Sequence, residues 1–194
     1  MKRLLLVASL LLAGCATPSA PKILFDLGPL PAPGSVAGAL PALSVASATS
    51  SSFLDNPRMM YRLAYASSQQ PQQFANSRWS MAPAQLIEQR LKARLGQAGS
   101  TVLSGSDGAL NVPLLRLEVD DFSQLFTTPT ESTGQLTLRV AVFRGRLLVA
   151  QKSFTQQRSA TSADAAGGAQ ALAAASDDLI TDVLGWLTTL PLAK

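Results

Sequence analysis

Residues 135–156, QLTLRVAVFRGRLLVAQKSFTQ, are the stretch of sequence that decides the fold. Apolar and polar side chains alternate through its first half, with Leu136, Leu138, Val140 and Val142 separated by Gln135, Thr137, Arg139 and Ala141. This alternation predicts a strand from Gln135 to Arg144 with one buried face and one solvated face. The short segment Arg144-Gly145-Arg146 predicts a tight turn into a second strand, Leu147 to Gln156. We therefore expect an antiparallel hairpin.

More strands are predicted on the N-terminal side of this hairpin, each bounded by turn-forming residues. They cover Ile23 to Leu27, Leu43 to Ala46, Met59 to Ala66, Phe74 to Trp79 and Val112 to Phe122. Between them, Ser47 to Ser52 is interpreted as a polar run and Ser67 to Gln73 as a glutamine-rich turn. The strand after that turn should pair back on the strand before it, in which Tyr61 and Tyr65 would share a face.

Two helices complete the prediction. In Pro83 to Gln97 leucine and isoleucine recur every four residues, Ser80 is a candidate N-cap, and Glu88 and Lys92 form an i,i+4 pair. The second helix runs from Ser162 to Leu190, and its carboxylates are expected on the solvated side: Asp177, Asp178 and Asp182. The order of strands, helix, strands, helix predicts an α+β fold, a mostly antiparallel sheet with two helices packed on one face.

Composition limits the chemistry that is open to the chain. Its 194 residues include one cysteine and no histidine. A histidine-based triad, a Cys-His dyad, a Cys/His zinc cluster and an intrachain disulfide are therefore excluded. We expect no metal and no bound cofactor. The basic residues are scattered along the chain and form no stripe, so no nucleic acid partner is expected.

The first fifteen residues indicate the destination of the chain. A basic start, Lys2 and Arg3, precedes the nine apolar residues from Leu4 to Leu12, and this pattern predicts a signal peptide over residues 1–14. A run of nine is less than half of the roughly 20 residues that a membrane-spanning helix needs. Without these residues, 14 of the 16 basic side chains remain against 12 acidic ones, a net charge of +2.

The end of that segment, Leu12-Ala13-Gly14-Cys15, resembles the bacterial lipobox. In such sequences the cysteine receives diacylglycerol, the preceding peptide is removed, and the new amino group is acylated. Cys15 is thus the predicted lipidation site, residues 15–22 form a lipidated tether, and residues 23–194 form one domain. Residues 16–22 can extend at most about 25 Å, so the domain should work close to the lipid surface.

The residue after the cysteine bears on which membrane holds the anchor. In lipoproteins of this class an aspartate at that position retains the protein in the inner membrane, and here the residue is Ala16. We therefore expect an outer-membrane protein that is lipid-anchored on the periplasmic face, with outer-membrane lipid as its first partner.

Two features of the body of the chain could mark a site. Asp120 and Asp121 are adjacent carboxylates, but neighbours in a strand point to opposite faces and should not converge on one substrate atom. Residues 123–133 are interpreted as a polar loop that carries Leu125 and Phe126. These two side chains could fold back on the core or form an exposed contact for lipid or protein, and the sequence favours neither.

Short motifs in a particular order resemble one family. Phe53-Leu54-Asp55, Met60-Tyr61-Arg62 and Arg78-Trp79 are followed by the first helix, and the second half brings residues 117–122, LEVDDF. This series resembles the ABC-type transport auxiliary lipoproteins, of which the paraquat-inducible protein C-like lipoproteins are the best-known members. The resemblance runs from about Phe25 to Leu190.

The resemblance implies a non-enzymatic envelope component. Members of the family are outer-membrane-anchored partners of systems built from an ATPase, a permease and a mammalian-cell-entry (MCE) domain protein, which move phospholipids or other hydrophobic molecules across the periplasm. By resemblance, the chain would dock an MCE-domain protein at the outer membrane as a homo-oligomer. The alternatives are a structural subunit of another envelope machine, for secretion or lipopolysaccharide export, and a hydrolase that uses carboxylates alone.

The family's signature positions in this sequence are candidate partner contacts: Leu54, Asp55, Tyr61, Arg62, Arg78 and Trp79. A structural role is the competing interpretation for each of them. Arg62 and Asp55 could form an ion pair at the sheet edge, and Trp79 could pack against the helix that follows.

Overall fold

The computed structural model of the chain describes residues 21–33 and 40–192. The predicted signal peptide, Cys15 and most of the predicted tether lie outside these residues.

The elements follow the predicted order of strands, helix, strands, helix. They are β1 (Ile23–Phe25), β2 (Leu43–Val45), β3 (Thr49–Ser50), β4 (Arg58–Leu63), β5 (Ser67–Trp79), α1 (Pro83–Gln97), β6 (Val102–Ser104), β7 (Leu114–Phe126), β8 (Ser132–Arg144), β9 (Leu147–Ser159) and α2 (Ala165–Thr188). The α+β prediction is confirmed: the longest strand pairs are antiparallel, and both helices pack on the sheet.

Strand β7 organises the sheet. On one side it pairs antiparallel with β8 along its whole length, and β8 pairs in turn with β9. On its other side β7 pairs parallel with three short strands in succession, β2, β3 and β4. The sheet then continues from β4 to β5, antiparallel, and from β5 to β1, parallel, while β6 lies parallel beside β2.

The predicted hairpin of β8 and β9 is confirmed. Arg144 lies opposite Leu147, so the turn consists of Gly145 and Arg146, and Gly145 has the positive φ of 58° that a tight hairpin turn favours. The four apolar residues that set the alternation are fully buried, and the residues between them are partly exposed. Both strands extend three residues beyond the predicted span, β8 at its start and β9 at its end.

The core lies between the sheet and the helices. The buried faces of β7 and β8 meet the apolar side of α2, including Leu172, Leu179 and Val183. At Gly134 of β8 the sheet and helix are so close that a Cβ atom would lie 2.7 Å from the backbone nitrogen of Leu172. Neither helix among the described residues combines the length and apolar character that crossing a bilayer requires.

Several predicted boundaries are wrong. Residues 67–73 form the first half of β5 and not a turn, which is instead made by residues 64–66. Tyr65 therefore lies in this turn and not in β4 beside Tyr61. The sequence does not predict the short strands β3 and β6, and β3 lies within the segment interpreted as a polar run.

The helix starts also differ from the prediction. Helix α1 is preceded by Ala82 as N-cap, without a side-chain hydrogen bond, and not by Ser80. Helix α2 begins at Ala165, three residues later than predicted, because the side chain of Asp164 caps it by accepting a hydrogen bond from the backbone N–H of Gly167. The predicted pair of Glu88 and Lys92 is confirmed, with 2.7 Å between Oε1 and Nζ.

The carboxylates of α2 are each engaged and do not form a free solvated face. Asp177 pairs with the buried Arg90 of α1 at 2.7 Å. Asp178 pairs with Arg158 of β9 and raises the pKa of that guanidinium. Asp182 accepts a hydrogen bond from the amide nitrogen of Gln156, at 2.7 Å. These contacts fix α2 on the sheet and on α1.

Candidate functional site

A groove of about 300 Å³ opens beside β4 and β7, and we name it the motif groove. Its walls come from segments that are far apart in the sequence. They are formed by Ser51, Phe53 and Leu54 before β4, Met60, Tyr61 and Arg62 of β4, Pro71 of β5, and Asp120, Asp121 and Ser123 of β7. The groove therefore combines apolar side chains, one cation and two carboxylates.

The groove lies on the sheet face opposite the helices. In β7, Gln124 faces α2 so closely that a Cβ atom on Gly168 would overlap its amide group. Asp121 and Ser123 alternate with the core residues Phe122 and Gln124, so they point to the other face. The groove is consequently open to a partner while the helices stay in place.

A β-bulge brings the two carboxylates to the same groove. Val119 pairs with Leu138 and Asp121 pairs with Thr137, which are consecutive on β8. Asp120 is therefore an extra residue that has no paired residue on β8. The expectation that Asp120 and Asp121 diverge to opposite faces is therefore wrong, because strict alternation stops at a bulge. Both line the groove.

Both carboxylates are held by neighbouring side chains. Asp120 accepts hydrogen bonds from Nη2 of Arg139 at 3.1 and 3.2 Å, and Arg139 also bonds Glu118. Asp121 accepts from the hydroxyl of Ser123 at 2.8 Å and from the amide nitrogen of Gln135 at 2.7 Å. All four carboxylate oxygens of Asp120 and Asp121 therefore accept a hydrogen bond. These bonds hold the two side chains in place, so that they form a polar wall of the groove.

The two β4 side chains of the signature have different roles. The hydroxyl of Tyr61 donates to Oε1 of Gln72 at 2.8 Å, and its ring packs against Phe74 and Phe126 at centroid distances of 4.6 and 5.6 Å. Arg62 donates from Nη1 to the carbonyl of Ser68 at 3.1 Å. The expected pairing of Arg62 with Asp55 is not found among the described residues, because Arg62 turns towards β5.

Three signature residues do not line the groove. Asp55 lies in the turn before β4, outside the groove. Arg78 donates to the carbonyl oxygen of Ser77 at 2.7 Å and to that of Phe74, so it braces its own strand. Trp79 is 1% exposed and meets the ring of Phe122 edge-on at 5.1 Å. Arg78 and Trp79 thus support the sheet that carries the groove.

Leu125 and Phe126 belong to β7 and not to a loop. The loop is limited to residues 127–131, and the rest of the predicted polar segment forms the paired ends of β7 and β8. Phe126 is buried against Tyr61, while Leu125 is half-buried beside Arg62. Neither lines the motif groove.

The part of the chain that the structure describes holds no group of three or more Asp, Glu, His or Cys side chains positioned to bind an ion. Cys15, the predicted lipidation site, lies outside the described residues.

Comparison of the sequence with models of known protein families shows which family the chain belongs to. The model for the ABC-type transport auxiliary lipoprotein component matches residues 25–183, which is most of the chain and includes the whole motif groove. The chain belongs to this family. The match confirms the resemblance seen in the motifs, and it identifies the protein as a lipoprotein that serves an ABC-type transport system.

Solved structures of similar fold support the architecture of this auxiliary lipoprotein. A Xanthomonas campestris protein of the DUF330 family is 19% identical, with a TM-score of 0.69 over 87% of this chain and 93% of that one. An uncharacterized protein is 12% identical, with a TM-score of 0.64 over 84% and 97%. At such identities the likeness shows the fold alone. The search of curated proteins gives no match.

Proposed function

We propose that this auxiliary lipoprotein is a non-enzymatic docking component, held at the outer membrane by lipid on Cys15. It receives the periplasmic MCE-domain protein of an ABC transport system that moves phospholipids or other hydrophobic molecules. The observation that carries the proposal is the convergence of the family's motifs in one open groove: Leu54, Tyr61, Arg62 and Asp120 come from three separate motifs. Family membership supplies the transport context.

The composition of the groove supports docking of a protein segment. Phe53 is 43% exposed and lines the same groove as the cation of Arg62. Aromatic and arginine side chains carry a disproportionate share of binding energy at protein interfaces. Asp120 and Asp121 line the same groove, and complementary charges on a partner would fix its orientation there.

A variant pair tests the docking role in the native lipidated protein. Phe53→Asp combined with Arg62→Glu should reduce the amount of MCE-domain protein that co-purifies from detergent extracts at least about ten-fold, a change of about 1.4 kcal/mol. The matched control is Leu110→Asp combined with Arg146→Glu, which introduces the same two changes of charge at exposed positions outside the groove. Unchanged recovery in the groove variant, or recovery of secretion components instead, would refute the proposal.

The anchor is tested separately. Mass spectrometry of the mature N-terminal peptide should find diacylglycerol and an N-linked acyl chain on Cys15. Fractionation should place the protein with the outer membrane. An unmodified mature Cys15 would contradict the anchor and would leave the docking test unaffected.

A further inference from the structure

We propose that the outer edge of β9 is a contact between two copies of this chain, which pair antiparallel about a two-fold axis at Phe154 and so join their sheets. This surface, named the β9 edge, consists of residues 150–158. The inference goes beyond the docking role of the motif groove and does not depend on it. The register and symmetry of the contact follow from the strand and from the charges beside it.

Strand β9 ends the sheet on its side. Along one edge it pairs with β8, and along the other edge no strand lies beside it among residues 21–33 and 40–192. From Ala150 to Ser159 the strand contains no proline, and its register with β8 has no irregularity. A long and regular edge presents unpaired backbone N–H and C=O groups to another strand, and natural proteins use prolines or bulges to prevent such pairing. The β9 edge lacks both.

The pairing with β8 shows which backbone groups of β9 face outward. The backbone N–H of Ala160 donates to the carbonyl oxygen of Ser132 at 2.9 Å. Bonding alternates along an antiparallel ladder, so the even-numbered residues of β9 bond to β8. The odd-numbered residues from 151 to 159 therefore direct their N–H and C=O groups away from β8, where a second strand can meet them.

A lysine and an aspartate beside the β9 edge have no charged partner within the described part of the chain. The ammonium group of Lys152 lies 5.0 Å from the ring centroid of Phe154. Asp182 of α2 accepts a hydrogen bond from the neutral amide nitrogen of Gln156 at 2.7 Å. Lys152 lies opposite the buried Val140 of β8, so its side chain is on the face that α2 covers. A second copy can supply each of the two groups with the opposite charge.

One register brings these charges together. With Phe154 on the two-fold axis, the whole β9 edge is paired, and Lys152 lies opposite Gln156 of the second copy, with about 4.5 Å between the Cα atoms. Gln156 of that copy holds its own Asp182, so the lysine of one copy meets the carboxylate of the other. Because a two-fold contact is reciprocal, it contains two such ion pairs.

Other registers are less favourable. Outward-facing groups must meet each other, so the axis passes through a residue and not between two. Centring the pair on Lys152 sets two lysines opposite each other, and centring it on Thr155 sets Lys152 opposite Arg158. Like charges directly opposite each other destabilise a strand pair. Centring on Ser153 sets the end of the β9 edge opposite the start of β9, where the register with β8 is irregular.

The helices permit this approach. Helix α2 packs on both β8 and β9, the two strands nearest the axis. The α2 axes of the two copies are then separated by two strand spacings, about 10 Å, which is the normal distance between packed helices. Strand pairing in one layer and helix packing in the other therefore form one continuous contact.

Spin labelling measures the contact in the lipidated protein. Cys15 is the only cysteine and its sulfur is consumed by the proposed anchor, so Gln151→Cys and Gln157→Cys each provide one thiol for a nitroxide label. Both side chains are exposed, and the two positions lie symmetrically about Phe154. Double electron–electron resonance in detergent measures the distance between the labels of two copies. The unsubstituted protein, treated in the same way, gives the background.

We expect the same distance at both positions, about 20 Å, because six residues of strand lie between the two labels along the contact. An axis at Ser153 would instead give about 14 Å at position 151 and about 27 Å at position 157. No dipolar coupling between copies, or clearly unequal distances at the two positions, would overturn the proposal.

An exchange of charges tests the ion pairs. Lys152→Glu alone and Asp182→Lys alone should each raise the dissociation constant of the two copies at least about ten-fold, because like charges then lie side by side. The double variant should restore the pairing. The matched control is Arg146→Glu, the same change of charge in the turn before β9, and it should have no effect. A double variant that pairs as weakly as the single ones, or unchanged pairing in all of them, would overturn the proposal.

Discussion

Arg90 connects three parts of the chain that are distant in sequence. Only 6% of the residue is exposed, and its guanidinium donates two hydrogen bonds to Asp177 of α2. It also donates to the carbonyl oxygens of Gly28 and Pro29, at 2.8 and 2.9 Å. A buried charge of this kind is tolerated because it is fully paired. Arg90 therefore holds the two helices and the N-terminal segment together.

Removing Arg90 leaves Asp177 without its partner in a largely buried place. We expect Arg90→Ala to lower the free energy of unfolding by about 3 to 5 kcal/mol, measured by urea titration. The control is Lys92→Ala, which breaks the more exposed pair with Glu88 and should cost less than about 1 kcal/mol. Equal losses in the two variants would show that Arg90 is not the main connection.

Asp164 gives the domain a specific pH dependence. The backbone N–H of Gly167 and then the hydroxyl of Ser162 hold the pKa of Asp164 below its usual value. A lowered pKa in the folded state contributes stability that is complete above the unfolded pKa of about 3.9. This contribution is lost as the pH falls through the folded pKa.

The cap should therefore matter at neutral pH and not in acid. Asp164→Ala should destabilise the protein by about 1 kcal/mol at neutral pH, and the difference from the unsubstituted protein should narrow as the pH falls below 3.9. Asp164→Asn retains a capping oxygen and serves as the control. Urea titrations across this pH range measure both, and a constant difference would contradict the role of the ionised carboxylate.

For single residues, the sequence predicts contacts within one helix better than contacts between elements that are distant along the chain. The i,i+4 pair of Glu88 and Lys92 could be predicted, because helical spacing alone brings the two together. Arg90 and Asp177 could not, because 87 residues separate them and only the packing of α1 on α2 makes them neighbours. The sequence therefore predicts a solvated Asp177, whereas the structure pairs it with Arg90.

Among the elements, β7 shows how one extra residue affects which side chains of a strand face the core. Before the bulge the core-facing positions are Leu115, Leu117 and Val119, and after it they are Phe122, Gln124 and Phe126, while Ser123 is buried on the opposite face. The bulge absorbs Asp120 as an extra residue, so the residues on both sides of it keep the same face towards the core. It also aims Asp121 into the motif groove.

Deletion of Asp120 should therefore leave the faces of β7 unchanged, because Val119 and Asp121 already lie opposite consecutive residues of β8, Leu138 and Thr137. Phe122 and Phe126 stay on the core face in the shortened strand, and the protein should keep its near-UV circular dichroism and cooperative unfolding. Asp120→Ala keeps the bulge and removes only the exposed pair with Arg139, so it should cost less than about 1 kcal/mol. A deletion variant that loses cooperative unfolding would contradict this account of the strand.

Helices and strands whose apolar residues recur at a regular spacing are predicted more accurately than those without such a pattern. Strand β8 could be predicted because apolar residues alternate over its length, and α1 because leucine recurs at helical spacing. The first half of β5, rich in serine and glutamine, has no such pattern, and its pairing with β4 keeps it extended. The predicted loop after residue 122 was too long, since the bulge disguises the alternation beyond it.

On the scale of the whole molecule, the sheet separates two surfaces. The helices cover one face and leave the motif groove open on the other. The sequence identified most of the groove's residues as motifs. It could not show that they converge, because the parallel pairing of β4 with β7 joins segments about 60 residues apart.

The most direct measurement of the docking role is photo-crosslinking from the groove in intact cells. A photoreactive amino acid in place of Phe53, in the otherwise native lipidated protein, should give an adduct with the MCE-domain protein of an ABC transport system. The same amino acid at Leu110 or Leu147, outside the groove, should not. Absence of a transport component from the Phe53 adducts, or equal capture from all three positions, would contradict the account.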